Sequence, residues 1–579
     1  MDKKLYETLR TIDTSELAFS LASRLRDNES SVMYHCKSVV IAYALYMATE
    51  YSVNDFKGWD DFVEATNISS KVKSVLVRHA DSVWEIVKDL NGKYTPDDLL
   101  AFILFNNEME DYKSGDCSTP LSISKLACSI LDVKDSEVIL DLCSGKGNFI
   151  SEAYESAPNA SYIGVELNYA SNDIAQIRSS ILSDNIDLEM CDALEFRVRE
   201  KTDKAFSNFP FNIRTPAMSE CKKRLQDECD LPEDAIQRAS SDWVFITTLV
   251  EQIKENGKAV VITTNGSTWN SSDKNIRQYF IEKGLIEAVI ALPARLFTTT
   301  SIPTTMMVFS KNNQSVRLVD AQDMFEKTRK CNIMSDNDIA KIMNMLEQDS
   351  EKSVLKTYKE FAENEYILNA TRYLETTPEV KNGVELGTVI KNITRGAQLK
   401  ADDLDSIKSE TATSYRYLLL SNINDGIISF DDGQYLSDIA DNLKKYCIKN
   451  NAIVLSKIGV PSFKSAVAQI KESTSILANG NLFVIELDED KVNPYYVQAF
   501  FESEAGIAMF KRIYTGGALP TLSVDKLKQI IIPIPSLSEQ QVIADKYAAS
   551  MDEVVILKRK LEKTITKMKH IYDEENENC

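Results

Sequence analysis

The residues best suited to chemistry stand at Ser207-Asn208-Phe209-Pro210-Phe211, directly behind the apolar run Lys204-Ala205-Phe206. An exocyclic amine on a purine is a poor nucleophile, because its lone pair is delocalised into the ring. Two acceptors set on its two hydrogens draw the nitrogen toward tetrahedral geometry and stabilise the positive charge that grows as it attacks a methyl group. The Asn208 side-chain oxygen and the Phe209 carbonyl make such a pair. Pro210 follows them, and Phe211 offers a flat ring on which a base flipped out of a duplex can stack. No strong base is needed, which suits a chain with only three histidines, His35, His79 and His570. Alone, Asn-x-Pro-Phe is better read as a plain turn, and its weight comes from what precedes it.

Upstream, Asp141-Leu142-Cys143-Ser144-Gly145-Lys146-Gly147-Asn148-Phe149 follows the first strong strand pattern and leads into a helix. Glycines at 145 and 147 let a cofactor approach the backbone at the carboxyl end of a strand. A dinucleotide fingerprint asks for a third glycine at 150, where Ile150 stands. Glu166 ends the next strand, 19 residues beyond Gly147, where a carboxylate can accept hydrogen bonds from both ribose hydroxyls. Asp192 sits where a third strand should end and can meet an adenine amine. Glycine loop, ribose acid and adenine acid together suit S-adenosylmethionine better than NAD. An α/β domain with an ordinary tight turn is the plainer alternative for the loop alone.

The elements that must position these residues follow from periodicity. Residues 1–115 read as helical, with apolar residues three and four apart (Val39, Ala42, Tyr43, Tyr46) and few glycines. Residues 116–330 alternate helical segments with strand-like runs at 138–140, 162–165, 204–206, 259–262 and 286–290, the pattern of a doubly wound α/β sheet. The charged stretch from about 312 to 375 reads as helical, giving a helical connector over 331–380. From 381 to 540 short β-rich runs such as 417–420, 452–455 and 482–485 are punctuated by Gly, Asn and Asp. Pro533 and Pro535 then end any regular element. Residues 541–579 form one long helix, with Tyr547, Val554, Leu561 and Met568 seven apart and Leu557 and Ile571 interleaved. That is a heptad pattern; a helix packed on its own domain explains it equally well.

The motif with its loop resembles the γ-type amino methyltransferases of DNA, whose signature is N-P-P-[FY]; Phe209 stands where that signature has its first proline, and only a backbone carbonyl is required there. Further segments are similar to the modification subunit of type I restriction-modification systems. Ser118-Thr119-Pro120 is similar to the T-P element that helps hold the cofactor methionine, with Cys117 and Ser118 where an aromatic residue is usual. Ser241-Asp242-Trp243-Val244-Phe245, Leu292-Pro293-Ala294-Arg295-Leu296-Phe297 with Ser301-Ile302-Pro303-Thr304, and Asn364-Glu365-Tyr366-Ile367-Leu368-Asn369 with Arg372-Tyr373 extend the resemblance over about residues 1–375. The remainder resembles one half of a specificity subunit. Leu386-Gly387-Thr388-Val389-Ile390 and Thr394-Arg395-Gly396 are similar to the opening of a target recognition domain. Gly516-Gly517-Ala518-Leu519-Pro520, Leu527, Ile532-Pro533-Ile534-Pro535 and Glu539-Gln540 are similar to its close.

This resemblance implies a helical N-terminal domain and a Rossmann-like S-adenosylmethionine-dependent methyltransferase domain. An α+β target recognition domain and a long C-terminal helix would follow, so that modification and half-specificity parts are fused. It implies adenine N6 methylation in double-stranded DNA by Asn208, Phe209, Pro210 and Phe211. The cofactor would be held by Thr119, Pro120, Asp141, Cys143, Gly145, Gly147, Asn148, Phe149, Glu166 and Asp192. Arg395, Lys457 and Lys464 are candidate DNA contacts, with solvated surface cations the plain alternative for the lysines. A single recognition domain leaves room for a homodimer through the terminal helices. No nuclease is evident, so restriction would fall to a separate nuclease and translocase subunit. A protein-glutamine methyltransferase shares the Asn-Pro-Pro-aromatic device, but it leaves about 200 C-terminal residues unexplained. A catalytically impaired DNA-binding or assembly module is the other alternative.

Composition sets the outer limits. The 579 residues carry 66 Lys+Arg against 87 Asp+Glu, a formal charge of −21, with 44% hydrophobic content. Several packed cores are affordable at that length. No run of about 18 apolar residues suggests a membrane span, and the polar start MDKKLYETLRTIDTSE lacks a signal-peptide core. Ten cysteines without a C-x-x-C pair suit reduced thiols in a prokaryotic cytoplasm. Such acidity argues against nucleic acid until it is divided. Residues 381–540 hold 17 Lys+Arg and 19 Asp+Glu, net −2, and 541–579 are net −1, leaving −18 for 1–380.

Overall fold

The computed structural model describes residues 1, 3–25, 30–79, 83–106, 118–229, 231–298, 300, 302–374, 380, 383–430, 434–459, 463–470, 473–514 and 521–576, apart from the side chains of 512 and of 570 onward. Cys117, Ser301 and Gly516 to Pro520 lie outside those residues. The chain forms two compact units, Met1–Leu374 and Glu375–Cys579. Among the described residues no helix is long and apolar enough to cross a membrane.

The first unit is built on a sheet whose strands include β1 (Val138–Leu142), β2 (Ser161–Val165), β3 (Ile186–Glu189), β4 (Thr202–Ser207), β5 (Ile253–Thr264), β6 (Ile286–Ala291), β7 (Thr304–Phe309) and β8 (Ser315–Asp320). A ninth, Ser353–Thr357, closes one edge, and the spatial order is Ser353–Thr357, β8, β6, β7, β5, β4, β1, β2, β3. β7 and the ninth strand run antiparallel to their neighbours, while the pairs among β1 to β5 are parallel. Parallel strands covered on both faces read as unbroken apolar runs, as Val-Ile-Leu in β1 does. Successive residues then serve opposite cores. Ile139, Phe206 and Val260 pack on one side with Phe149 and Ile150. Leu140, Ala205 and Val261 pack on the other with Trp243 and Phe245.

The stretch expected to be a helical connector is only partly that. Ser335 and Asp338 form a capping box for the helix Asp336–Glu347, but β8 and Ser353–Thr357 on either side are strands of the sheet. Their charged residues hide the strand pattern. Arg317 of β8 is buried, paired with Asp349 and bonded to the Ser353 hydroxyl at 3.3 Å, so an apolar period is interrupted by an ion that the fold neutralises. The edge strand leaves Leu355 exposed, which erases its alternation as well.

Helices from Lys3–Leu9 to Pro96–Phe105 make the N-terminal layer. Ser31–Met47 is buried on most of its circumference. The layer is fastened to the helix Tyr169–Leu182 by a buried trio: His79 Nε2 lies 3.0 Å from Asp173 Oδ2 and 3.4 Å from Cys36 Sγ. Arg78 pairs with the other Asp173 oxygen and balances its charge.

The second unit contains two four-stranded sheets. One orders Ile390–Arg395, Leu482–Leu487, Ile453–Ser456 and Ser465–Val467; the other orders Lys408–Ser409, Tyr435–Leu436, Tyr415–Leu418 and Ser475–Ala478. Ile531–Pro533, where prolines were expected to end regular structure, pairs with Gly383–Glu385. A two-stranded ribbon is all edge, and an edge tolerates a residue without an N–H. Ser536 and Glu539 then bond reciprocally, a capping box that starts the helix Leu537–Asn576.

Candidate active site

β2, β1 and β4 are neighbours in the sheet, so the loops at their carboxyl ends meet. Behind β1 the backbone turns through positive φ at Cys143 (+80°), Gly145 (+54°) and Gly147 (+79°). The Val165 carbonyl at the end of β2 holds this turn, accepting from the Cys143 amide at 3.0 Å and the Ser144 amide at 2.8 Å. Among the described residues no heavy atom lies within 4 Å of where a Gly145 Cβ would stand, whereas a Gly147 Cβ would lie 3.5 Å from the Ala175 Cβ. Gly145 thus keeps the outer side of the loop open, and Gly147 supplies the left-handed backbone from which the helix Asn148–Ser156 starts.

Three candidate carboxylates lie in β1, just past β2 and beyond β3. Glu166 accepts from the Gly145 amide at 2.8 Å and the Asn168 amide at 2.6 Å, joining the loop to the next helix. Asp192, in the turn beyond β3, accepts from the Leu194 amide at 2.9 Å. Asp141 is 1% exposed, and among the described residues its Oδ1 has no hydrogen-bond partner. Burial, and then the negative charge of Glu166, push its carboxyl well above the usual range.

Asn208 is buried just past β4, and its Nδ2 donates to Thr119 Oγ1 at 3.1 Å. The Thr119 carbonyl accepts from Asn148 Nδ2 at 3.0 Å, so one residue links the motif loop to the glycine loop. Pro120 caps the helix Leu121–Leu131, and Ser207 Oγ donates to the Leu142 carbonyl, joining β4 to β1. The Phe209 ring is 1% exposed and stacks on Phe245 at 4.9 Å and 13°. That aromatic pair anchors the loop where the family signature has a proline. Pro210 is exposed, and half-buried Phe211 meets Phe297 edge-on at 6.1 Å.

Phe149, like Phe209, is a candidate whose side chain the fold turns into a core. Its ring stacks on Phe206 at 4.2 Å within the core, because the residue lies one step into a helix whose inner face covers the sheet. Only its backbone belongs to the loop.

The candidate DNA contacts fall in the second unit. Arg395 Nε donates to the Gly480 carbonyl at 2.8 Å, and Lys464 Nζ donates to Asn424 Oδ1 at 2.8 Å. Lys457 lies close enough to Arg395 that burial, and then that guanidinium, draw its ammonium below the usual range. Lys408, Lys444, Lys449 and Lys491 each hold a carboxylate; among the described residues Arg395, Lys457 and Lys464 hold none.

Residues 97–382 match the N-6 DNA methylase family, and residues 384–567 match the type I restriction modification DNA specificity domain. Each segment belongs to its family: a DNA methylase segment is continued by a specificity domain. Relatives of the methylase include the type I restriction enzyme MjaVIII methylase subunit of Methanocaldococcus jannaschii, 24% identical over 429 residues, which are 68% of this chain and 74% of that one. The HindI methylase subunit of Haemophilus influenzae is 24% identical over 309 residues, 50% of this chain and 70% of that one. Among solved structures, the type I methyltransferase subunit from Streptococcus thermophilus aligns with 64% of this chain and 99% of its own at 20% identity, with a TM-score of 0.49.

Two residues outside the set of site candidates read from the sequence position the methylase site. Arg178, fully buried, donates to the carbonyls of Ile103 (2.8 Å), Lys146 (3.0 Å) and Asn106 (3.2 Å) and to Asn148 Oδ1 (2.8 Å). Burial lowers its guanidinium to about 10. Asp242 accepts from the Thr263 hydroxyl at 2.9 Å and the Thr264 hydroxyl at 2.7 Å. It thereby fixes the helix Ser241–Val250, and with it Phe245 beneath Phe209. The segment Ser241 to Phe245 stood out in the sequence, but only packing assigns these contacts.

Proposed function

We propose that the methylase transfers a methyl group from S-adenosylmethionine to the exocyclic N6 of adenine at a specific duplex sequence, as the modification component of a restriction-modification system or as an orphan enzyme. The observation that carries this reading is the Thr119 hydroxyl on Asn208 Nδ2. In this arrangement the amide nitrogen lies on Thr119 and the Asn208 oxygen is the acceptor. The Asn208 oxygen and Phe209 carbonyl then take the two N6 hydrogens, raising electron density on nitrogen without a full proton acceptor. Phe211 stacks on the flipped base.

The residues present fit the cofactor. The orphaned Asp141 oxygen suits a cationic group, the open side of Gly145 admits a ligand against the backbone, and Glu166 and Asp192 supply acceptors for ribose and adenine. Bound S-adenosylmethionine supplies an electrophilic methyl on a sulfonium.

Arg395 and Lys457, like charges held together without an acid, suit a DNA phosphate. Exposed Val554, Leu557, Leu561 and Met568 along the last helix suit pairing with a second copy. A separate restriction subunit would supply cleavage.

Labelled cofactor with a library of duplexes tests the chemistry. Label should appear on adenine N6, and Asn208→Ala should reduce transfer by about 10² to 10³-fold. Label on cytosine, or equal transfer by both proteins, would overturn the reading.

A further inference from the structure

We propose that Arg416 reads a guanine in the target sequence through its guanidinium edge; this rests on the specificity-domain assignment of the second unit. Arg416 sits in the strand Tyr415–Leu418, opposite Tyr435 in the antiparallel register. Its guanidinium carbon is 4.0 Å from the Tyr435 ring centroid and 4.9 Å from that of Phe430. One Nη2–H is spent on the Tyr435 hydroxyl at 2.6 Å. The side chain is half-exposed, and among the described residues no carboxylate pairs with it.

The combination points one way. Two aromatic rings hold the planar group and occupy its vicinity, and the Tyr435 hydroxyl fixes its rotation, so little rotamer freedom is left to lose on binding. Among the described residues four of the five N–H donors are left for a ligand, on a rigid in-plane fork. An arginine fork is matched by the adjacent O6 and N7 acceptors of guanine in the major groove, the pairing that reports base identity rather than backbone charge. Arg395 and Lys457 differ in kind. Lys457 is a point charge and Arg395 is tied to a carbonyl, which suits phosphate contacts that set position.

Selection of bound duplexes from a random pool by the full-length protein, followed by sequencing, separates the possibilities. Wild-type protein should enrich a motif with an obligatory guanine. Arg416→Lys keeps the charge and the stem but lacks the fork. It should lose discrimination by at least about tenfold at that one base pair and keep the other positions, and Arg416→Ala should do the same. An unchanged motif in a folded Arg416→Lys protein overturns the inference, as does a uniform loss of affinity across all sequences, which marks a phosphate contact. Thermal melts run alongside. If both variants unfold, Arg416 is a structural staple and the inference is wrong. No motif from the wild-type protein would instead remove the specificity reading on which the inference stands.

Discussion

At the scale of single residues, the Asp141 carboxyl is the site's most informative group. Its pKa in the folded protein is raised by burial and by Glu166, so the folded state holds its proton more tightly than the unfolded chain. The sign follows from linkage. Stability from this group is complete below the unfolded carboxyl pKa, and it is lost as pH rises through the folded value. A cationic ligand beside Asp141 would pull that value back down, so binding should release a proton and tighten with pH across the window between the two. Calorimetry of S-adenosylmethionine binding in two buffers of different ionisation heat measures the proton directly. Asp141→Asn should abolish both the release and the pH slope; a slope that survives would assign it elsewhere. Phe209 makes a second residue-scale case. Restoring the family's proline there deletes a ring packed on Phe245, and the cavity should cost about 3 kcal/mol, read as a lower denaturant midpoint. Unchanged stability in Phe209→Pro would mean the stack contributes nothing.

At the scale of elements, legibility tracked burial on both faces. β1, β2, β4, β5 and β6 read as apolar runs because each lies between two cores, and Gly145, Gly147 and Glu166 are placed by counting from the ends of β1 and β2. β7 is equally buried, but its two threonines mask the run. β8 and Ser353–Thr357 do not read as apolar runs, since one hides a charge pair and the other is a half-exposed edge. Arg178 was equally illegible. It looks like an ordinary helical arginine, yet its four bonds tie Pro96–Phe105 and the residue after it to the glycine loop. Arg178→Met removes four hydrogen bonds to buried acceptors, which should cost about 3–5 kcal/mol. It should also weaken cofactor binding more than DNA binding, because Lys146 and Asn148 are the groups released. A Met variant that melts like the wild type would show that the loop holds itself.

At the scale of the whole molecule, the division of charge and the long helix bear on the same question. The region that would read DNA is nearly neutral, net −2 over residues 381–540, so nonspecific affinity should be weak and shallow in its salt dependence. A second copy is the simplest way to double the specific contacts. The helix Leu537–Asn576 begins on its own unit. Gln540 is buried, donating to the Lys491 and Pro535 carbonyls at 3.2 and 2.9 Å, and Tyr547 donates to Glu502 at 2.6 Å. Beyond Tyr547 the heptad residues are uncovered: Val554 at 36%, Leu557 at 55%, Leu561 at 60% and Met568 at 66% exposure. The two explanations of the heptad therefore apply to different parts of one helix, its first turns packed at home and the rest presenting a stripe. Leucine and valine at alternating three- and four-residue spacing suit a two-stranded seam, and a twofold pair would give a bipartite, symmetric target. Leu561→Glu places a charge in the middle of that seam while touching no buried contact of its own unit. Light scattering at micromolar protein should then report a monomer where the wild type is a dimer, with the far-ultraviolet dichroism of the folded units retained. A wild type that is already monomeric, with or without DNA, would leave the stripe without a second copy and make the target site asymmetric.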